Sequence, residues 1–332
     1  MRKAAFETKR RLLVALRDDC FISGQELAEQ FDISRAAISR HVKELEELGV
    51  DIYSVKGRGY KLAKPLDLIE APALAALTGA YLPLGAELLL FPVIDSTNQH
   101  WMQQNHADLV SGSACFAECQ TAGRGRRGRT WQSPFGASLY FSMWWQSQNN
   151  LSEMMGLSVA VGVALTRWMN RLGVNAKVKW PNDIYIEHKK VSGVLVELDA
   201  QSDGRGLAVV GIGLNVSMPS AAGALIDQAW TDLSSHLPIA MSRTELAAGL
   251  YQTILNCLEQ FEQGGLQACI QDWDDYDEFA GQSVRLSMGQ HDVEGICRGV
   301  DGHGALQVEV GGVVKSYFGG EISVRGCDNG AS

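Results

Sequence analysis

The first 64 residues have apolar positions at helical spacing, followed by two short runs typical of a hairpin. Steps of three and four residues predict helices over 4–17 and 35–48, and a capping box at Ser23 opens a short helix between them. Two helices joined by about three residues are typical of a helix-turn-helix. The runs 52–55 and 60–62, around a basic turn, predict a hairpin. This segment is therefore predicted to be a winged helix-turn-helix.

From residue 88 onward, strand and helix patterns alternate before a third pattern begins near residue 281. Two long helices are predicted over 152–172, with few charges, and over 243–263, which is amphipathic. Strands are predicted at 88–94, 114–120, 138–145, 178–180, 184–186, 193–198 and 209–216. The last part contains short strands separated by glycines, which is typical of a small all-β barrel: 284–288, 294–300, 306–310, 313–317 and 322–324.

The three patterns together predict an α+β multidomain chain, because 332 residues are too many for one core. The predicted divisions are a winged helix-turn-helix (1–64), a linker with some helical content (65–80), a central mixed α/β domain (81–275), a small β-barrel (276–326) and a tail (327–332).

Charge is distributed unevenly between these parts. The chain has a net charge of −9, but residues 1–64 carry thirteen Lys and Arg against ten Asp and Glu, which makes this segment +3 and the rest −12. Such asymmetry favours different partners for the two parts, and it removes the acidic total as an argument against nucleic-acid binding.

Targeting and redox signals favour a cytoplasmic protein. The basic start is followed by only five apolar residues, too few for the core of a signal peptide. Residues 71–94 carry one charge, but three prolines and two glycines interrupt any spanning helix, so no membrane partner is expected. The seven cysteines form no Cys-x-x-Cys pair, which favours reduced thiols over disulfides or zinc.

The strongest candidate for chemistry is the run Gly123 to Arg129, with four arginines and three glycines in seven residues. Glycines let backbone N–H groups approach a ligand, and guanidinium groups bind phosphate or carboxylate. The spacing matches G-x-G-x-x-G, but no helix is predicted directly after it, so a nicotinamide dehydrogenase is not favoured. A solvated basic loop is the alternative explanation.

Other polar segments each have a structural explanation beside a functional one. The segment 95–98 is a helix N-cap or a polar-ligand site, and a lysine before an apolar strand, as at Lys190, is a solvated flank or a ligand group. Gly211 and Gly213 accommodate either a bulky neighbour or a ligand.

Taken together, five motifs resemble the biotin–protein ligase family in their order and spacing. They are Asp95-Ser96-Thr97-Asn98, Gln120 to Arg129, Lys179-Trp180-Pro181-Asn182-Asp183, Lys190-Val191-Ser192-Gly193 and Gly213-Leu214-Asn215. With the N-terminal unit, including Ser34-Arg35-Ala36-Ala37-Ile38, the chain resembles the bifunctional members, which are both biotin operon repressors and biotin–[acetyl-CoA-carboxylase] ligases. The resemblance covers essentially the whole chain. It implies a central domain similar to class II aminoacyl-tRNA synthetases and biotin ligases, and an SH3-like C-terminal barrel.

The resemblance implies a two-step reaction. Biotin and ATP, with Mg²⁺ carried on the ATP and no metal site on the protein, give biotinoyl-5′-AMP, and a lysine of the biotin carboxyl carrier protein of acetyl-CoA carboxylase then accepts the biotin. The implied ligand contacts are Ser96, Thr97, Asn98 and Gln120 for the biotin head group, with Arg124, Gly125, Arg126 and Lys190 for the carboxylate and adenylate. Lys190 and Arg126 are the expected catalytic residues. Less specific candidates are Asn182, Asp183, Asn215 and Trp230, the last either stacking on adenine or packing in the core.

The resemblance also implies a repressor of the biotin synthesis operon, with biotinoyl-5′-AMP as corepressor promoting a homodimer on operator DNA. The expected DNA contacts are Ser34, Arg35, Ala36, Ser39, Arg40, Lys43 and Arg58. Two alternatives remain open at this stage. One is a ligase whose winged helix does not bind DNA, and the other is a biotin-sensing repressor without catalysis.

Overall fold

The structure is a computed structural model that describes residues 2–16, 20–200, 204–288, 291–318 and 322–326. The predicted tail 327–332, with Cys327, and the predicted end of the first helix at Arg17 lie outside the described residues. No helix among the described residues is long and apolar enough to cross a membrane. The six cysteines in this part of the chain are free thiols.

The N-terminal unit is the predicted winged helix-turn-helix. Its elements are α1 (Arg2–Ala15), α2 (Gly24–Phe31), α3 (Arg35–Glu47), β1 (Ile52–Val55) and β2 (Gly59–Leu62), with the two strands antiparallel. The capping box forms as the sequence predicts, because Glu26 N donates to Ser23 Oγ and Ser23 N donates to Glu26 Oε2. The α3 helix begins with a single N-cap hydrogen bond, in which Ser34 Oγ accepts from Ala37 N.

The central region is built on one seven-stranded sheet with the order β3-β4-β5-β9-β8-β7-β6. Its strands are β3 (Leu88–Phe91), β4 (Ala114–Ala117), β5 (Ser138–Gln146), β6 (Ala176–Lys179), β7 (Asp183–Ile186), β8 (Lys189–Ala200) and β9 (Gly206–Asn215). Its helices are α4 (Ala71–Thr78), α5 (Thr97–Met102), α6 (Leu157–Arg171), α7 (Ser220–Gly223), α8 (Arg243–Cys269) and α9 (Trp273–Tyr276). Among the described strand pairs of this sheet, β3–β4 is parallel and the others are antiparallel.

Element bounds differ from the predicted ones where turns interrupt the apolar pattern. The helix predicted over 152–172 begins only at Leu157, because residues before it form turns and Gly156 has a φ of +87°. The amphipathic helix extends beyond the predicted end at 263 to Cys269, with a kink at Gly265. The strand predicted at 193–198 is longer, since β8 runs from Lys189 to Ala200.

The main core lies on one face of the sheet, under α6 and α8. Buried side chains of α6 such as Val161 and Leu165 pack with Leu250 and Ile254 of α8. A smaller cluster on the other face includes Trp101 of α5, Cys115, Trp144, Leu207 and Val209. The sheet is therefore buried on both faces along β5 and β9, which explains the continuous apolar runs of these strands.

The C-terminal region is a small antiparallel β domain, in agreement with its glycine-separated strand pattern. Its strands are β10 (Ser283–Met288), β11 (His291–Val300), β12 (Leu306–Val310), β13 (Val313–Tyr317) and β14 (Ile322–Gly326), in the order β13-β12-β11-β10-β14. Val284, Leu286, Leu306 and Val308 are fully buried or nearly so and join the main core. The exact division of the chain into domains stays a prediction.

The winged helix-turn-helix packs directly on the central domain. Phe135 and Cys119 of the central domain belong to the same buried cluster as Leu27, Ile38 and Leu45 of the N-terminal unit. Phe135 N also donates a hydrogen bond of 3.0 Å to Leu48 O, directly after α3. The end of the predicted recognition helix is thus fixed against the central domain.

A buried ion pair joins the linker to both the sheet and α8. Arg243, at the start of α8, is 2% exposed and donates to Glu118 Oε2 at 2.6 Å, to Ser138 O and to Asp67 O. The other oxygen of Glu118 accepts from Ile69 N at 2.8 Å. Separating the pair would leave a buried charge without a partner, which is strongly unfavourable. Because both side chains also bind the linker backbone, at Asp67 and Ile69, the pair fixes the position of the linker.

We expect Arg243→Met to destabilise the protein by about 3–5 kcal/mol, because Glu118 would stay buried without its counter-charge. Urea unfolding followed by circular dichroism measures this. Arg298→Met is the matched control, because Arg298 pairs with Glu309 at the surface and its loss costs about 1 kcal/mol or less. Equal effects of the two substitutions would contradict the role given to Arg243.

A cationic cleft over the central sheet

One cleft of about 510 Å³ lies over β8 and β9. Its walls come from the Gly123–Arg129 loop, the turn at 180–183, the segment 225–230 and Arg325 of β14. All twelve residues expected to contact ligand line it: Ser96, Thr97, Asn98, Gln120, Arg124, Gly125, Arg126, Asn182, Asp183, Lys190, Asn215 and Trp230. Its volume is in the range of small-molecule sites.

One end of the cleft is neutral and polar. Ser96 is the N-cap of α5, as the sequence predicts, and its Oγ accepts from Gln99 N. Gln120 Oε1 accepts from Thr97 N at 2.9 Å, and Gln120 Nε2 donates to Ser133 Oγ at 3.2 Å. This network fixes the orientation of the Gln120 amide, so this end suits an uncharged polar ligand group.

Both polar atoms of the Asn98 side-chain amide have hydrogen-bond partners in the protein. Its Oδ1 accepts from Ser142 Oγ at 2.5 Å, and its Nδ2 donates to Leu195 O and to Glu197 Oε2. A Cβ at Gly211 would overlap the Asn98 amide, so only glycine permits this approach. Asn98 therefore connects α5 to β5 and β8 as well as lining the cleft.

The Gly-Arg loop forms a closed turn with no helix after it. Arg124 and Thr130 form an antiparallel bridge, and Gly125 N donates to Arg129 O at 2.8 Å. Residues Arg126–Gly128 make one 3₁₀ turn, with Arg127 in the left-handed region at φ +59°. This confirms the sequence argument against a dinucleotide-binding helix and presents the arginines toward the cleft.

Three cations of the cleft each have a fixed acceptor. Arg124 donates to Glu197 Oε2 at 2.8 Å, Arg126 donates to Asn182 Oδ1 at 2.9 Å, and Lys190 pairs with Asp183 at 2.8 Å. Burial, and then the neighbouring Arg127 charge, lower the pKa of the Arg126 guanidinium from its ordinary value. The acceptors offset the mutual repulsion of these cations.

Lys190 and Trp230 are held together by main-chain contacts. Lys190 N donates to Ala229 O, and Thr231 N donates to Lys190 O, so the segment of Trp230 runs parallel to the start of β8. Asn215 Nδ2 donates to Thr231 O at 3.1 Å from the other side. Trp230 is half-buried at the wall of the cleft, so it is not part of the main core.

The cleft also contains residues that were not among the expected ligand contacts. The Trp131 ring lies so close to Gly213 that a Cβ there would overlap it, and Lys190 Nζ is 5.5 Å from the ring centroid. Lys179 is held over Tyr185 at 4.8 Å, and its burial lowers the pKa of its ammonium group. Arg325 brings a cation from the C-terminal domain.

A sequence signal existed for two further contacts. Trp131 directly follows the Gly-Arg run, and Glu197 is the one acidic residue within the apolar run from Val194 to Leu198. Both features indicate that these side chains make close contacts, but neither feature predicts which residues they contact. Among the described residues, no group of three or more His, Cys, Asp or Glu side chains is placed to hold a metal ion.

A separate basic surface lies on the winged helix-turn-helix. The side chains expected to contact DNA are all exposed on α3, its N-cap or the wing turn: Ser34, Arg35, Ala36, Ser39, Arg40, Lys43 and Arg58. Arg58 lies over the Phe21 ring at 4.5 Å, which supports the guanidinium at the wing.

Three family models match the chain in the order of its three structural units. They are an HTH domain over residues 8–61, the Biotin/lipoate A/B protein ligase family over 90–215, and the Biotin protein ligase C terminal domain over 279–325. The biotin protein ligase from Aquifex aeolicus in complex with biotin and ATP has a similar structure. Its TM-score is 0.59 at 27% identity, covering 73% of this chain and 99% of that one.

Two relatives extend the similarity over nearly the whole chain. The bifunctional ligase/repressor BirA of Escherichia coli (strain K12) is 39% identical over 319 residues, covering 96% of this chain and 97% of the relative. The bifunctional ligase/repressor BirA of Bacillus spizizenii is 30% identical, covering 92% and 94%. The cleft, the winged helix-turn-helix and these matches agree, and the chain belongs to the bifunctional ligase/repressor family of biotin protein ligases.

Proposed function

We propose that this protein is an ATP-dependent biotin–protein ligase, AMP-forming, that is also a DNA-binding repressor of biotin synthesis. The observation that carries the proposal is the cleft itself, where a neutral polar end meets Arg124, Arg126 and Lys190. Biotin has a neutral ureido head and a carboxylate tail, and ATP is a polyanion. One cleft therefore offers each substrate the groups that its chemistry requires.

Biotin binds with its head group at the polar end. Ser96, Thr97 and Gln120 lie there with their orientation fixed by hydrogen bonds to one another or to the α5 backbone. Asn98 completes this end, although its amide groups are already bound by the protein. The carboxylate of biotin then points toward the cations.

Adenylate formation brings two anions together. An oxygen of the biotin carboxylate attacks the α-phosphorus of ATP, the bond to the β-phosphate oxygen breaks, and pyrophosphate leaves with its electron pair. Lys190 and Arg126 reduce the repulsion between these anions and stabilise the charge that develops on the phosphoryl oxygens. Arg124 and the backbone of Gly125 bind the same group from the loop.

Transfer of biotin follows at the carbonyl carbon that adenylation has activated. The neutral amine of a lysine on the biotin carboxyl carrier protein attacks the acyl carbon of biotinoyl-5′-AMP, an amide forms, and AMP leaves. The acceptor protein and a homodimer partner both use the edge of β8 beyond Gly193, where β7 no longer pairs with it. An open strand edge supplies unpaired backbone groups for such contacts.

The nucleotide is held from several sides. Trp230 and Trp131 offer aromatic faces for adenine, and Arg325 brings a positive charge from the C-terminal domain. Mg²⁺ enters on the phosphates of ATP, because this ion keeps most of its waters and binds through substrate phosphate. Asn182 and Asp183 fix Arg126 and Lys190, which gives these two residues a positioning role in the reaction.

Repression uses the exposed basic face of α3. Its N-cap and first turns contact base edges and phosphates in the major groove, and Arg58 contacts the neighbouring backbone. Because the N-terminal segment has a charge of only +3, a single copy of the protein binds DNA weakly. Two copies on a paired operator are therefore needed. Biotinoyl-5′-AMP favours that homodimer, and the free thiols fit a reducing cytoplasm.

The ligase proposal predicts biotin-dependent labelling of a carrier-domain lysine that requires ATP. Lys190→Ala should lower pyrophosphate exchange by about 10²–10³-fold, because one preorganised charge at the reacting phosphate is lost. Lys189→Ala is the matched control, since it removes the same charge from the exposed neighbour. Wild-type exchange in Lys190→Ala would overturn the assigned role, and labelling without ATP would overturn the ligase proposal.

The Gly-Arg loop should become protected when the adenylate forms. Trypsin cleaves after arginine, and the loop offers Arg124, Arg126, Arg127 and Arg129. Biotin with ATP should slow cleavage at these sites several-fold relative to either substrate alone, which mass spectrometry of the digest measures. A cleavage rate unchanged by both substrates together would contradict the placement of the adenylate under this loop.

The repressor proposal predicts binding to the organism's own biotin-synthesis promoter that biotinoyl-5′-AMP strengthens. Arg35→Ala and Arg40→Ala should each weaken binding in gel-shift titrations and reduce the salt dependence by about one counter-ion. Arg171→Ala, an exposed arginine of α6, is the control that should leave binding unchanged. A promoter bound no better than unrelated DNA would leave a ligase without repressor function.

A further inference from the structure

We propose that Glu197 is a positioning residue that anchors the Gly-Arg loop before substrate arrives, a role that rests on the proposed ligase function. Glu197 does not line the cleft, but its Oε2 accepts from Arg124 at 2.8 Å and from Asn98 Nδ2 at 2.8 Å. One carboxylate oxygen therefore fixes a residue of the loop and a residue of α5 at the same time.

The anchor is rigid because it sits on the central sheet. Glu197 pairs with Val209 in the β8–β9 ladder, in the middle of a run of nine paired residues. Asn98 is fixed in turn by Ser142 of β5 and by Leu195 O of β8. Backbone contacts within the loop are local, such as the Arg124–Thr130 bridge, and two of its side chains reach outward, Arg126 to Asn182 and Arg124 to Glu197. Glu197 is the acceptor of these two that lies within the β8–β9 ladder.

The anchor leaves Arg124 able to bind substrate. The contact with Glu197 uses one terminal nitrogen of the guanidinium, and this side chain stays 40% exposed. An arginine has five N–H donors, so further donors can contact a carboxylate or phosphate. Because Arg124 is already oriented, binding costs less ordering of the loop, and the expected effect is on affinity rather than on the chemical step.

The same strand has an open edge beside Glu197. β7 pairs with β8 only as far as Gly193, so the stretch of β8 from Leu195 to Ala200 has β9 on one side and no described strand on the other. Leu198 is exposed on this stretch. Glu197 therefore connects the substrate loop to a stretch of β8 whose second edge has no strand partner among the described residues.

Glu197→Gln tests the anchor in the full-length protein. The amide keeps an oxygen for Asn98 and removes the charge that holds Arg124. We expect the KM for biotin in pyrophosphate exchange to rise about tenfold, with kcat changed less than about twofold. Arg124→Ala combined with Glu197→Gln should have the same KM as Arg124→Ala alone, because the two residues act as a unit.

Asp199→Asn is the matched control, since Asp199 lies two residues along the same face of β8, is exposed, and accepts a hydrogen bond from the adjacent Ala200 N. It should retain the wild-type KM. Additive effects in the double variant, a biotin KM left unchanged or lowered by Glu197→Gln, or a fall in kcat in place of the rise in KM would each overturn the proposal.

A second measurement separates this proposal from the proposed function. Without any substrate, trypsin should cleave the loop at Arg124–Arg129 several-fold faster in Glu197→Gln than in Asp199→Asn or the wild-type protein. Equal rates in all three proteins would overturn the anchor even if the protein is a biotin ligase. Faster cleavage in Glu197→Gln alone would support the anchor even if no adenylate is formed.

Discussion

A cleft that gathers cations for an anionic substrate must first overcome the repulsion among those cations. In this protein, each of three cations has its own acceptor on the sheet or the adjoining turn: Glu197 for Arg124, Asn182 for Arg126 and Asp183 for Lys190. One of the acceptors is a neutral amide, so positive charge remains in excess along this wall. The arrangement is thus stable without substrate and still attracts a polyanion.

Local signals in the sequence predicted most of the elements, because helix caps and apolar periodicity act over a few residues. Ser23 and Ser96 cap their helices where the sequence predicts these caps. The long helix is predicted to end at 263, and its regular backbone is interrupted close to that point, at Gly265 with φ +62°. A further helical stretch, which the local pattern did not predict, continues to Cys269 and buries Leu266 and Cys269 in the core.

The cleft was predictable as a set of residues, while its internal contacts were not. The twelve residues expected to contact ligand all line the cleft, but Glu197 contacts Arg124 across 73 positions of sequence and Asn98 across 99. The sequence also left open whether Gly211 and Gly213 face a ligand or a bulky neighbour. The structure shows a neighbour in each case, the Asn98 amide and the Trp131 ring. Contacts of this kind follow from strand register, which no short motif encodes.

The division of charge has a structural counterpart. The basic face of α3 is exposed, whereas the opposite side of the N-terminal unit is apolar and packs on Phe135 and Cys119. Phe135 lies two residues after Ser133, which binds Gln120 in the cleft, and its own N–H binds the carbonyl of Leu48 at the end of α3. A basic module with a flexible tether would be free to rotate. Here the apolar contact and the buried Arg243–Glu118 pair at the linker fix the orientation of the N-terminal unit relative to the central domain. The paired operator proposed for this protein would require two modules at a fixed spacing, and the fixed orientation of each module on its acidic body meets that requirement.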